Sequence, residues 1–190
     1  MLRRALLLVL TITAALMLSA CGAERMTENA AQRVRREFSE AESVTMNVKL
    51  TADYGERVYD FVLRFAGTEK ACRIELTYPE ELKGLAAVMD GEGERLIYED
   101  VAFETGGLFG DDLSPADAVP LMLKTWKTGY ASERSRETID GKSAEALSYD
   151  LESGKLKTWF DGETLLPIKT EISENERVVL TALFGNVALE

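Results

Sequence analysis

The sequence predicts an α+β chain built on an antiparallel β-sheet. Three observations carry this. From Ser43 onward apolar residues recur at every second position, the pattern of strands with one packed and one wet face. Two segments, roughly 28–41 and 115–127, space their apolar residues for a helix instead. Between the strands lie hairpin signals such as Asp90-Gly91, Asp140-Gly141, Ser153-Gly154 and Asp161-Gly162.

The elements follow in order. Met26, Ala30, Val34, Phe38 and Ala41 fall on one helical stripe, with Thr27 as N-cap and Arg33, Arg35, Arg36 and Glu37 pointing elsewhere. Val44, Met46, Val48 and Leu50 then alternate with Thr45, Asn47, Lys49 and Thr51. After a Tyr54-Gly55 turn, Tyr59, Phe61, Leu63 and Phe65 form a second apolar row, and Cys72, Ile74, Leu76 and Tyr78 a third. Strands near 84–90 and 95–104 are joined at Asp90-Gly91, which points to a type I′ turn. A glycine-rich apolar loop at 106–110 precedes Ser114-Pro115-Ala116-Asp117, which supplies a cap, a first-turn proline and a capping-box acid. The helix that follows carries Leu121, Met122, Leu123 and Trp126 and stops at Gly129; Pro120 leaves open whether it starts at 115 or restarts at 120. Segments near 133–139, 143–151, 155–160, 165–172, 177–184 and 186–189 complete a meander, with Ser173-Glu174-Asn175 as the last of its turn signals.

The N-terminus reads as an address. Arg3 and Arg4 precede an apolar stretch from Ala5 to Leu18, and small residues lead directly to Cys21. A charged start, an apolar centre of this length and small residues at the cut describe a secretory signal peptide at 1–20. Leu18-Ser19-Ala20-Cys21 resembles the lipobox of bacterial lipoproteins, which implies that Cys21 is acylated and becomes the mature N-terminus. Residues 21–26 are then a lipidated tether and 27–190 a single domain, long enough to bury a real core. Two acyl chains, at roughly 0.8 kcal/mol per buried methylene, hold a protein at a membrane firmly. The expected location is extracytoplasmic and membrane-anchored.

Composition removes several functions. The chain has 33 acidic against 22 basic residues, a formal net charge of −11. Such a surface is repelled by nucleic acid and by anionic headgroups, so no nucleic-acid partner is expected and the membrane work falls to the anchor. There is no histidine, hence neither the commonest general base nor the commonest metal ligand. Of two cysteines, Cys72 alone lies beyond the lipobox, so no disulfide framework is available. Its strand parity reads as a small buried hydrophobe; an intermolecular disulfide is the alternative.

Catalytic arrangements are missing too. No Gly-x-Ser-x-Gly elbow is present, and Gly91-Glu92-Gly93 lacks the rest of a phosphate-binding fingerprint. Asp111, Asp112 and Asp117 match no calcium loop, and Glu80-Glu81 is the kind of acid pair common on surfaces. No catalytic residue, cofactor or metal site is expected; the chain reads as a binding protein rather than an enzyme.

The segment Ile139-Asp140-Gly141-Lys142 to Leu151, followed by Trp159-Phe160-Asp161 and Leu165-Leu166-Pro167-Ile168-Lys169, resembles the lipoprotein-carrier (LolA/LolB-like) superfamily. In that family a "D-G-K" strand is followed by a "W-x-D" hairpin and an "L-P-x-K" strand. The order of elements along nearly the whole mature chain is similar too, including to lipoproteins of clostridial spore germination. The resemblance implies a strongly curved antiparallel sheet, an incomplete barrel, with helices covering its concave face. It also implies an apolar cavity for lipid or acylated lipoprotein. Met46, Val48, Leu50, Phe61, Leu63, Phe65, Ile74, Leu76, Met122 and Trp126 either line that cavity or fill a core. Two functions follow: a tethered binder of lipid or lipoprotein, or an adaptor for an envelope protein such as a cell-wall amidase. For the anchor, Cys21→Ala is expected to leave an unprocessed precursor or release the protein from the membrane fraction. Unchanged mature mass and membrane retention would contradict it.

Overall fold

The computed structural model describes residues 29–99, 101–104 and 115–190. The leader, Cys21, the tether, Thr27 and the segment 105–114 lie outside the described residues. Helix α1 (Ala30–Glu40) is capped by Asn29, not by Thr27 as its spacing predicts. Asn29 Oδ1 accepts from the Gln32 N–H at 3.0 Å, and Gln32 Oε1 accepts from the Asn29 N–H at 3.1 Å. This reciprocal box needs Gln or Glu three residues past the cap. Asn29 has Gln32 there, whereas Thr27 has Ala30.

Strands β1 (Ser43–Asp53), β2 (Val58–Thr68), β3 (Cys72–Tyr78), β4 (Ala86–Asp90), β5 (Gly93–Tyr98) and β6 (Val101–Glu104) form one run of the sheet. Helix α2 (Pro115–Thr128) follows. Strands β7 (Glu133–Ile139), β8 (Lys142–Leu151), β9 (Gly154–Asp161), β10 (Pro167–Glu174) and β11 (Arg177–Leu189) form the other run. The spatial order is β6-β5-β4-β3-β2-β1-β11-β10-β9-β8-β7, antiparallel throughout. First and last strands therefore pair in mid-sheet, while β6 and β7 are the two free edges of an open sheet. The α2 connection joins those edges. Register shifts interrupt the β1–β11, β10–β11, β9–β10 and β2–β3 ladders. Extra residues at such bulges bend and twist a strand, which supplies the curvature.

Local chemistry departs from the spacing in a few places. The predicted 95–104 strand is two strands, because Glu99 turns left-handed (φ 48°) and Tyr98 pairs with Val101. Conversely, 177–189 is one strand: left-handed Asn186 (φ 50°) lies within the β1–β11 irregularity and does not end it. At Asp90 the hairpin forms but is not type I′. Asp90 pairs with Gly93, so Gly91 and Glu92 are the central residues, and the positive φ (126°) falls on Gly93. The mirror-image turn appears at Asp140-Gly141, with φ of 49° and 79°. Helix α2 runs through Pro120 without a restart. It ends at Thr128, and the next position requires glycine: a Cβ at Gly129 would sit 2.5 Å from the Thr125 carbonyl oxygen.

The inward row of β1 (Val44, Met46, Val48, Leu50) packs in one core with Val34 and Phe38 of α1 and with Val119, Met122, Leu123 and Trp126 of α2. Leu147, Leu156, Phe160, Ile172 and Leu180 bring the second run into the same core. Both helices thus cover the concave face, and Ser39 Oγ ties α1 to the last turn of α2 by donating to the Lys127 carbonyl at 3.1 Å. Leu63 belongs to this core and Arg64 points outward to solvent. Leu63→Ala is expected to cost about 2–5 kcal/mol in denaturant unfolding. Arg64→Ala should cost no more than about 0.5 kcal/mol; the opposite order would mean a register one residue off.

Candidate functional site

The ten apolar residues singled out by sequence come together on the inner face. Met46, Val48, Leu50, Leu63, Phe65, Ile74, Met122 and Trp126 are buried, and Phe61 and Leu76 are half-buried at one margin of the core. Trp126 is the centre. Its ring lies 5.1 Å from Phe38, 5.6 Å from Phe160 and 5.5 Å from Phe184, touching α1, β9 and β11 at once. A buried indole N–H is costly unless bonded. Here it donates to Thr158 Oγ1 at 2.9 Å, and Thr158 shares a 2.7 Å hydroxyl contact with Thr170. Thr158 and Thr170 were not foreseen, although Thr158 has the strand parity of Leu156 and Phe160.

Cover is uneven across the inner face. Toward the β6 edge, Leu76, Met89 and Leu96 are only half-buried against the core. Tyr59 and Tyr78, read from sequence as ends of apolar rows, are exposed. A groove of about 320 Å³ runs between α2 and the adjoining ends of β1–β3, lined by Val44, Phe65, Cys72, Pro120 and Leu123 with Lys124 and Lys127 alongside. Cys72 is half-buried rather than fully buried, and desolvation pushes its thiol pKa up, away from the reactive thiolate. A second groove, of about 300 Å³, opens between the β1–β2 and β10–β11 hairpins beside Tyr54, Glu174 and Arg177. At the β7 edge the inward carboxylate of Glu145 is buried and accepts from Arg136 Nε at 3.0 Å and Nη2 at 2.6 Å, with Arg134 Nε 3.6 Å away. Among the described residues no three His, Cys, Asp or Glu side chains group to hold a metal ion. Among them, too, no helix is long and apolar enough to cross a membrane.

The Trp159-Phe160-Asp161 motif divides its labour by strand alternation. Phe160 enters the core. Asp161 holds the next turn by accepting from the Thr164 and Glu163 N–H groups at 2.9 and 3.0 Å, which keeps its pKa low. Trp159 packs with Ala144, Ala146, Ile139 and Ile168 in a separate small cluster. Lys157 and Lys169 lie 4.5 and 5.2 Å from the centre of its ring. Glu137 collects the polar ends: Lys157 Nζ donates at 2.8 Å, the Trp159 indole at 2.7 Å and Ser135 Oγ at 2.7 Å. These bonds lower the Glu137 pKa from 4.5 to about 2. The folded state therefore holds the charged form more strongly than the unfolded chain does, and acid favours unfolding. Stability from this group is present above pH 4.5 and is lost as pH falls toward about 2. Glu137→Gln is expected to lower stability at neutral pH and to flatten the loss between those limits in pH-dependent urea unfolding.

No family model matches the chain, and none of the curated proteins matches it in sequence. Solved structures do resemble it. An uncharacterized conserved protein from Thermus thermophilus aligns with a TM-score of 0.54 at 8% identity, over 85% of this chain and 88% of that one. A LolA superfamily protein from Nitrosomonas europaea aligns with a TM-score of 0.40 at 12% identity, over 84% and 93%. A chain of the CwlD amidase–GerS lipoprotein complex from Clostridioides difficile gives 0.43 at 14% identity, over 86% and 96%. At these identities the likeness is one of fold alone: an open, curved antiparallel sheet with helices on its inner face.

Proposed function

We propose that this chain is a lipid-anchored, extracytoplasmic binding protein, tethered through acylated Cys21, that works as a protein-interaction adaptor in the cell envelope. The observation that carries the adaptor role is the seating of α1 and α2 in the concavity. Trp126 is fully buried there, ringed by Phe38, Phe160 and Phe184, with its N–H satisfied by Thr158. A concave face already occupied by its own helices presents its outer rims and half-covered margins to partners. A cell-wall amidase, in the setting of spore germination, is the partner class that the sequence resemblance brings with it.

The second reading is lipid or acylated-lipoprotein binding. It is favoured by the groove of about 320 Å³ beside Phe65, Cys72 and Leu123, within the size range of small-ligand sites. The half-buried Phe61 and Leu76 add to it. The two are separated by purifying the full chain from its native envelope and identifying bound proteins and lipids by mass spectrometry. The adaptor reading expects a protein partner in fixed ratio and no lipid beyond the anchor. A stoichiometric lipid would favour the second reading, particularly if added lipid at 100-fold above Kd stabilises the chain by about 2.7 kcal/mol.

A further inference from the structure

The sheet has an aromatic margin that neither helix covers. Tyr54 and Tyr59 meet edge-on at 6.0 Å, and Tyr59 stacks on Phe61 at 6.4 Å with 25° between the rings. By strand alternation Tyr59 and Phe61 share the face of Leu63 and Phe65, so the strip continues outward from the core. Tyr54 is 52% exposed and Tyr59 41%. The groove of about 300 Å³ between the β1–β2 and β10–β11 hairpins opens beside Tyr54.

The rim of this margin carries one sign of charge. Antiparallel alternation places the β1–β2, β3–β4, β5–β6, β8–β9 and β10–β11 connections at the same end of the sheet. Of the bases there, Lys83 is paired with Glu80 and Arg177 with Asp53. Glu56, Glu81, Glu99, Glu174 and Glu176 have no ion pair among the described residues, against Arg57 alone on the basic side. Tyrosine faces and carboxylates both attract cations, and apolar Phe61 and Leu76 lie beside them. A second copy of so acidic a chain is repelled, as is an anionic membrane.

We infer that this strip is a docking site for a cationic amphipathic segment of a protein partner. Its Lys or Arg side chains lie over the Tyr54 and Tyr59 rings and against the rim carboxylates, and its apolar side chains against Phe61 and Leu76. The inference deepens the adaptor reading and rests on it for the class of partner.

The test uses the full chain in nonionic detergent and a fluorescently labelled amphipathic Lys/Leu peptide, with its Glu/Leu counterpart as the charge control. Anisotropy is expected to report salt-sensitive binding of the Lys/Leu peptide alone. The exposed pair Tyr54→Ser with Tyr59→Ser, and separately Glu56→Lys with Glu176→Lys, should each raise its Kd by about tenfold or more. Glu69→Lys with Glu163→Lys, the same charge change at the opposite end of the sheet, should stay within about twofold. An equal loss in that control, or no loss in the tyrosine pair, overturns the site. Capture of phosphatidylcholine vesicles through the tyrosines without peptide binding overturns the protein-segment occupant. A co-purified protein partner whose cross-links avoid the strip would also remove this site while leaving the adaptor reading intact. Peptide binding at the strip with no protein partner in the envelope would remove the adaptor reading instead.

Discussion

The packing of Trp126 is the contact on which the rest of the arrangement depends. The connection between β6 and β7 must pass from one free edge of an eleven-stranded sheet to the other. Helix α2 makes part of that passage over the inner face, and one indole fixes where it sits by meeting α1, β9 and β11 together. Removing a large buried aromatic costs about 3–5 kcal/mol in ordinary cores. Here it would also remove the indole donor from the buried Thr158 hydroxyl, leaving it Thr170 alone. Specific seating of α2 follows from the combination of shape and a single polar bond.

Much of the fold was legible because strand alternation encodes faces directly. Val44, Met46, Val48 and Leu50 needed only the rule that every second side chain shares a face, and all four are buried. The helix stripe of Ala30, Val34 and Phe38 was equally plain. What the pattern could not carry was anything dependent on partners distant in sequence. The Trp126–Thr158 bond joins residues 32 apart, and a threonine inside a strand looks the same whether its hydroxyl meets water or an indole. Bulges were hidden for a related reason: a register shift is a property of two strands, and each strand alone still alternates. Turn chemistry lay between these cases. Asp140-Gly141 adopted the mirror-image turn its residues favour, while Asp90-Gly91 was displaced by one position when Asp90 itself joined the ladder.

The candidate site was legible in part. Sequence identified the residues of the inner face but not how far the helices reach over it. Tyr59 continues the row of Leu63 yet lies beyond the cover, and at Tyr78 the β2–β3 register shift sets the row's last residue opposite Val62 instead. The choice of tyrosine at those row ends, with an apolar body and a polar tip, suits a half-wet position. Binding potential in this fold therefore concentrates where the apolar rows outrun their lids.

The β7 edge has a further consequence. Read outward from Ser135, its sequence Glu133-Arg134-Ser135-Arg136-Glu137 is the same in both directions. If two copies extended one sheet across their β7 edges about a twofold axis at Ser135, Glu133 would face Glu137 and Arg134 would face Arg136. Moving the axis to Arg134 or Arg136 sets that arginine against its own copy. Like charges directly opposite on neighbouring strands are destabilising, and edge strands left open are the usual route to polymerisation. A palindrome of charge thus lets an open sheet stay open: neighbouring molecules find in each other's β7 edge a poor template for growth.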